Sequence, residues 1–304
     1  MTDSSAIFIK DDQRVKLYFA DITEVPRREA LTLLAKSGQS DTLPIDLGKI
    51  CEYEAMPLKF TQIDDPKIAA RLVLTEGEWF IEVDDGGNGD STFSTDTTTR
   101  RRQRFSVAHE LGHYKFKSHC DNDLQGVLLS GHNPNASSYL LIRESQANEF
   151  ATELLLPYPL LKPLLKTLDF KNEFFKSVEN ISDQFDVSMT ATLKRIATIL
   201  DIPVIAIHFA PDGKAYQLPS YSPEYKSAKF FFERGRTIPD NTYAANMFDG
   251  KTTASRGRKA YPDSSIWFPN RRGDDFKVVE WALTLGNYGI LVFLELIEKD
   301  EGKY

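Results

Sequence analysis

The sequence predicts an α+β fold in three successive parts, and three observations carry that expectation. A helix holding Val107-Ala108-His109-Glu110-Leu111-Gly112-His113-Tyr114 follows short helices, a strand and a hairpin, and precedes a second, longer helix. A helical middle then runs over 166–202. From Pro203 the pattern changes to strands joined by tight turns. The boundaries expected are therefore 1–165, 166–202 and 203–304.

The elements follow from local signals. Pro26 to Lys36 reads as a helix with proline in its first turn, ended near Gly38. A second helix is expected from Pro44 to Ala55, and a strand from Leu58 to Ile63. Arg71–Thr75 and Glu78–Val83 form a hairpin about Glu76-Gly77. Within it, Trp79, Phe80 and Ile81 are either a candidate substrate-binding strand, since an extended peptide can add to a sheet edge through main-chain bonds, or a plain internal strand. Asp84 to Thr99 is a loop expected to rim the site. Its aspartates do not make a calcium loop, because Gly86 and Thr95 stand where ligands belong. Arg100, Arg101, Arg102 and Arg104 open the next helix, where positive charge opposes the helix dipole. They suit either a solvated turn or an anchor for an acidic segment. Ser138 to Leu156 reads as one helix stopped by Pro157 and Pro159.

His109-Glu110-Leu111-Gly112-His113 is an H-E-x-x-H pattern. On a helix its histidines lie one turn apart on one face and can hold one divalent ion, with Glu110 placed to take a proton from a water activated there. Gly112 costs roughly 1 kcal/mol of helix propensity relative to alanine, so a closely approaching neighbour is expected at that point. A catalytic zinc needs a third protein ligand. Glu144, Glu149, Glu153, His119, His132, Asp121 and Asp123 are near enough in sequence. Glu144 shares a helix face with Ala147, Asn148, Ala151 and Leu155, and the alanines allow that face to come close to the histidines. Glu144 is therefore the expected third ligand. Asn148, one turn on, suits the free ring nitrogen of a ligating histidine. Glu149 and Glu153 read as solvated charge. Tyr114, His119, His132 and Tyr139 are candidate donors to an oxyanion, with no ranking among them.

Two stretches resemble the ImmA/IrrE metallopeptidase family. One is Arg104-Phe105-Ser106-Val107-Ala108-His109-Glu110-Leu111-Gly112-His113; the other runs Glu144-Ser-Gln-Ala147-Asn148-Glu-Phe150-Ala151-Thr-Glu-Leu154-Leu155-Leu156-Pro157. The resemblance implies a minimal gluzincin domain with His109, His113 and Glu144 as metal ligands and Glu110 as general base. It also implies Zn2+, with Mn2+ as the alternative, and cleavage of a helix-turn-helix repressor that switches on stress or DNA-damage genes. Gluzincins of the thermolysin type carry aspartate where this chain has Asn148.

The middle segment, with helices either side of Asp186-Val187-Ser188, has a helix-turn-helix pattern. From Lys171 to Asp201 it holds four basic residues (171, 176, 194, 195) against five acidic ones (173, 179, 183, 186, 201). A DNA-reading helix normally carries excess positive charge, so direct DNA binding is not expected. Beyond it, Val204–Phe209 with Ala215–Leu218, and Val278–Leu285 with Ile290–Glu298, read as hairpins. Lys229 to Phe248 is similar to part of the GAF-like α/β domain in longer members of the family, which implies a small-molecule or protein ligand there. Lys251 to Arg272 carries six basic residues and one acid, suiting an anion or protein contact, or a solvated loop.

Composition narrows the classes. The hydrophobic content of 41% and charged content of 27% are those of an ordinary globular chain. A net charge of −7 and a pI near 5.4 argue against non-specific attraction to nucleic acid or anionic lipid. The N-terminus lacks the basic and apolar regions of a signal peptide, and no apolar run is long enough to span a bilayer. Two cysteines, Cys51 and Cys120, fit a reduced cytoplasmic setting; Cys120 is expected to be a free thiol. The rival function is a regulator acting by binding DNA or protein through its middle and C-terminal parts.

Overall fold

The computed structural model describes residues 23–89, 91–116, 138–169, 172–216, 219–227, 232–269 and 276–299, with the side chains of 138–141 left aside. The chain divides into two compact units, one of residues 1–164 with 180–188, the other of 165–179 with 189–304. The helical middle thus contributes to both.

In the first unit, helix α1 (Val25–Lys36) has proline in its first turn and ends before Gly38 at φ +70°. Helix α2 (Leu47–Tyr53) is shorter than the pattern over 44–55, because Asp46 caps it: its carboxylate accepts from Lys49 N–H at 3.2 Å. Strands β1 (Leu58–Thr61), β2 (Ala70–Thr75) and β3 (Glu78–Asp84) form a sheet in the order β1-β3-β2. The β2–β3 turn is Glu76-Gly77, with φ of 54° and 86°, the mirror-image geometry that matches strand twist. Helix α3 (Thr97–Lys115) packs on this sheet and on α4 (Ser138–Leu155). Helix α5 (Tyr158–Leu164) follows, then a single 3-10 turn at Leu165–Thr167.

Helices α6 (Phe174–Phe185) and α7 (Met189–Ile199) flank the turn at 186–188, where Asp186 takes φ +50°. In the second unit, strands β4 (Val204–Phe209), β5 (Ser220–Tyr221), β6 (Arg256–Tyr261), β7 (Phe276–Thr284) and β8 (Ile290–Glu298) form an antiparallel sheet ordered β5-β4-β8-β7-β6. Helices α8 (Pro223–Ser227) and α9 (Tyr243–Phe248) accompany it. One sheet face packs Ile205, Ile207, Val278, Ala282 and Val292 with Trp267 and Ala244. On the other, Trp281 and Phe293 meet Phe174 at ring distances of 4.9 and 5.0 Å. Helix α7 packs on β4, β5 and β8, and none of its residues is exposed.

The β7–β8 hairpin matches the sequence pattern, whereas the strand expected at Ala215–Leu218 does not form over its described residues. After the turn at 211–213 the main chain leaves the sheet: Ala215 N–H bonds Arg236 O, and Ile238 N–H bonds Gly213 O. Ser220–Tyr221 takes the place beside β4. The basic stretch supplies β6, an edge strand whose Arg256, Arg258 and Lys259 are exposed, a composition that discourages edge-to-edge pairing. No helix among the described residues is long and apolar enough to cross a membrane.

Candidate metal centre

Helix α3 starts at a proper cap: Asp96 accepts from Thr99 N–H at 2.8 Å. Of the arginines that follow, Arg102 is exposed and donates to Pro66 O at 2.7 Å, whereas Arg100, Arg101 and Arg104 are neither a solvated turn nor a free anchor. Arg100 reaches both carboxylate oxygens of Asp186 at 2.8 and 3.0 Å, Arg101 pairs with Asp186 and Asp183 at 3.3 and 2.6 Å, and Arg104 lies 3.4 Å from Asp186. Arg104, 6% exposed, also donates to the main-chain oxygens of Asp186 and Ile45. These carboxylates offset the charge that would otherwise oppose the dipole. Gln103 clasps the preceding loop, donating to Asp84 O at 2.7 Å and accepting from Ser94 N–H at 2.8 Å.

Two and a half turns further on, His109 and His113 turn their Nε2 atoms toward each other, 3.0 Å apart. Glu144 on α4 meets both: one carboxylate oxygen is 3.3 Å from His109 Nε2, the other 3.3 Å from His113 Nε2. The helices come this close because Gly112 lies against the backbone of Ala147 and the ring of Phe150. His109 Nδ1 is 3.0 Å from Asn148 Oδ1. An oxygen acceptor there calls for Nδ1–H, so that in the neutral ring Nε2 is the nitrogen left to ligate an ion, and in the charged ring Nε2–H can donate to Glu144.

Burial disfavours the charged form of both rings. At His109 the hydrogen bond to Glu144 and the charges of Glu110 and Glu144 outweigh burial, and its pKa rises. At His113 burial prevails, helped by the neighbouring His109, and its pKa falls. Glu144 is half-buried, which raises it, but the two histidines hold its carboxyl well below the usual carboxylate range. It is an anion facing two imidazoles.

This donor set fits a small divalent ion. A tetrahedral ion with bonds of 2.0–2.1 Å separates its ligand atoms by about 3.3 Å, and the three contacts measure 3.0, 3.3 and 3.3 Å. All three groups can offer a ligand atom within 4.8 Å of one another. Glu110 lies beside them, 1% exposed, with Oε2 accepting from Leu72 N–H at 3.1 Å. That N–H faces away from the sheet: Ile81 gives its own N–H to Pro57 on the β1 side, so its antiparallel partner Leu72 points outward from β2.

Trp79, Phe80 and Ile81 require a correction. They lie on β3, the central strand, which pairs with β2 over 78–83 and with β1 over 81–84. Phe80 and Ile81 are buried at 8% and 0%. Ile81 is paired on both sides and has no edge to offer a peptide, Trp79 and Phe80 are paired on the β2 side only, and the edge next to Glu110 is that of β2. Nor is Glu153 solvated: it is 2% exposed and accepts from Tyr158 N–H at 2.8 Å, while Glu149 pairs with Arg27 at 2.9 Å. Cys51 is a buried free thiol, its pKa pushed up to about 12 by burial and then by Glu54 and Asp46. His119, His132, Asp121, Asp123 and Cys120, and the side chain of Tyr139, lie outside the described residues. Sequence reasoning did not find Asp186 or Leu72. The arginine run signalled a need for counter-charge without saying which acid supplies it.

A two-histidine, one-carboxylate centre on an H-E-x-x-H helix beside a small sheet defines an α+β protein with a candidate metal site. Residues 94–197, about a third of the chain, match the family model described as the IrrE N-terminal-like domain, Peptidase_M78, a match that supports the resemblance to the ImmA/IrrE family. No curated protein matches the sequence. Among solved structures the fold is similar to a Mycobacterium tuberculosis transcriptional regulator, with a TM-score of 0.58 and 12% identity, over 92% of this chain and 78% of that one.

Proposed function

We propose that this protein is a cytoplasmic, zinc-dependent endopeptidase whose substrate is a helix-turn-helix repressor, so that cleavage derepresses stress or DNA-damage genes. The observation that carries the peptidase reading is the meeting of His109, His113 and Glu144 beside the buried carboxylate of Glu110. His109, His113 and Glu144 hold the ion, Zn2+ or in its place Mn2+, and Asn148 orients His109. When bound, the ion supplies Lewis-acid polarisation of a peptide carbonyl and acidifies water. Glu110 accepts the proton of the attacking water and delivers it to the departing amine. The Leu72 N–H holds that carboxylate on the side of the β2 edge, where an extended peptide can be received.

The repressor as substrate rests on the family. The three functional parts, 1–165, 166–202 and 203–304, are proposed as a peptidase, a helix-turn-helix-like segment and a GAF-like domain, the last with a small molecule or protein as its ligand. The regulator reading draws on the description of the similar solved structure. Against its DNA-binding form stands α7: a recognition helix must present side chains to the groove, and here Thr192, Leu193, Arg195, Ile196 and Ala197 are buried and the remaining residues part-buried.

The test is to incubate the Zn2+- or Mn2+-loaded protein with the helix-turn-helix regulators encoded beside its gene. Cleavage by the wild type, with Glu110→Gln retaining metal but inactive, is expected. Undiminished cleavage by Glu110→Gln refutes the assigned base. Salt-dependent binding to a specific duplex without any proteolysis favours the regulator.

A further inference from the structure

Glu110 and Tyr114 are four residues apart and share one face of α3, so Tyr114 lies one turn beyond the proposed base. Both touch the same hairpin. Glu110 takes the outward N–H of Leu72 on β2, and the Tyr114 ring packs edge-on against Trp79 of β3, with centroids 6.4 Å apart. Trp79 is the cross-strand partner of Leu74, two residues beyond Leu72, so Leu72 and Leu74 present their main-chain groups to the same outer edge. Leu74 and Trp79 also project on the sheet face that carries Leu72 and Ile81.

The burial of that face changes along the hairpin. Leu72 and Ile81 are 0% exposed, whereas Leu74, Trp79 and Tyr114 are each only part-buried. The core therefore opens at this end into three largely apolar side chains, one strand step past Glu110 and continuous with the edge of β2, which pairs with no further strand among the described residues. The other two tryptophans, Trp267 and Trp281, are 0% and 2% exposed, so Trp79 alone has its indole partly in solvent.

We infer that Leu74, Trp79 and Tyr114 form a specificity shelf that receives a bulky apolar side chain of an extended substrate, within two residues of the cleaved bond. The inference rests on the peptidase reading. A peptide laid along β2 places every second side chain on the shelf face, about 6.8 Å apart. One whose reacting carbonyl lies by Glu110 sets the side chain one step along on the two rings. Trp79 thereby acts through its indole, not as a strand edge. Aromatic rings there reward apolar area, and their electron-rich faces disfavour a carboxylate.

The test exposes a peptide library from a proteome digest to the Zn2+- or Mn2+-loaded full chain and reads cleaved bonds by mass spectrometry. Enrichment of Phe, Leu, Met, Tyr or Trp within two positions of the cut is expected. Trp79→Ala and Tyr114→Ala should each lower kcat/KM for those peptides by about tenfold relative to peptides with alanine there, and Trp79→Phe should restore most of it. Metal content and melting temperature of each variant separate this from misfolding. In Glu110→Gln protein, a tryptophan-free peptide spanning a frequent cut should shield Trp79 from acrylamide quenching. If no peptide is cut, the peptidase reading fails and the shelf with it. If peptides are cut without that enrichment, or with a preference unchanged in both alanine variants, the shelf is refuted and the peptidase reading stands.

Discussion

A Cβ added to Gly112 would stand 3.0 Å from Ala147 Cα and 3.2 Å from Ala147 O. The atoms in the way are backbone, so relief requires α3 and α4 to move apart, and these are the helices whose separation sets the distance from Glu144 to the histidines. Gly112→Ala gains about 1 kcal/mol of helix propensity but loses about 1–3 kcal/mol to overpacking. A net destabilisation of up to about 2 kcal/mol is expected, with metal affinity at least about tenfold weaker because ligand geometry tolerates little displacement. Chelator competition measures it; unchanged affinity would mean that the helices accommodate the methyl without opening.

Removing the third ligand is more severe. Glu144→Ala should leave two imidazoles without their carboxylate and lose most bound zinc on dialysis. Full occupancy in that variant, read by elemental analysis, would transfer the ligand role to another residue.

Asn148 acts through the ring it touches. With Oδ1 3.0 Å from His109 Nδ1, Asn148→Ala should weaken metal binding by about 10–100-fold. Asn148→Asp, which keeps an oxygen acceptor and adds charge, should bind at least as tightly as the wild type. A titration in which alanine and aspartate behave alike would remove the orienting role.

Asp186 links α3 to the turn after α6 through three arginines. Partial burial works against its ionisation, but the hydrogen bond to Arg100 and the charges of Arg104 and Arg100 prevail, and its pKa is lowered. A lowered folded pKa means stability that is present above the ordinary aspartate value near 4 and is lost as pH falls through the folded value. Asp186→Asn, which suits the left-handed backbone at φ +50°, should destabilise by roughly 1–3 kcal/mol at neutral pH and flatten the acid limb of a stability profile. Wild-type and variant profiles that run parallel below pH 4 would contradict this.

Glu280 in β7 shifts the other way. It is 0% exposed, accepts from Tyr261 Oη and Ala244 N–H at 2.6 Å each and from Tyr243 N–H at 3.2 Å, and burial still outweighs these bonds to raise its pKa. Its stabilising contribution is full below the ordinary glutamate value near 4.3 and declines as pH rises through the folded value. Glu280→Gln should remove that decline from a denaturation series taken upward from pH 4; the same slope in both proteins would place the titrating group elsewhere.

The helices and the hairpin of the first unit were legible because their signals are local: proline before Arg27, the Glu76-Gly77 turn and the prolines after Leu156. Over the described residues of the strand expected at Ala215–Leu218, Ala215 instead makes main-chain bonds with Gly235 and Arg236, which no local propensity encodes. Trp79–Ile81 had the composition of a strand but not its place in the sheet. Composition reports β propensity, and strand order depends on partners brought together from elsewhere in the chain.

By itself the sequence determined the helix faces: the four-residue spacing of His109 and His113, and the face shared by Glu144 and Asn148, follow from helical periodicity alone. Tertiary structure alone decided that β2 rather than β3 offers the edge, that Leu72 holds Glu110, and that Asp186 answers the arginines of α3. The reason is range. A helix repeats every 3.6 residues, so its faces are fixed by numbers close together in the chain, whereas a contact between residues 38 or 86 positions apart exists only once packing has closed the distance.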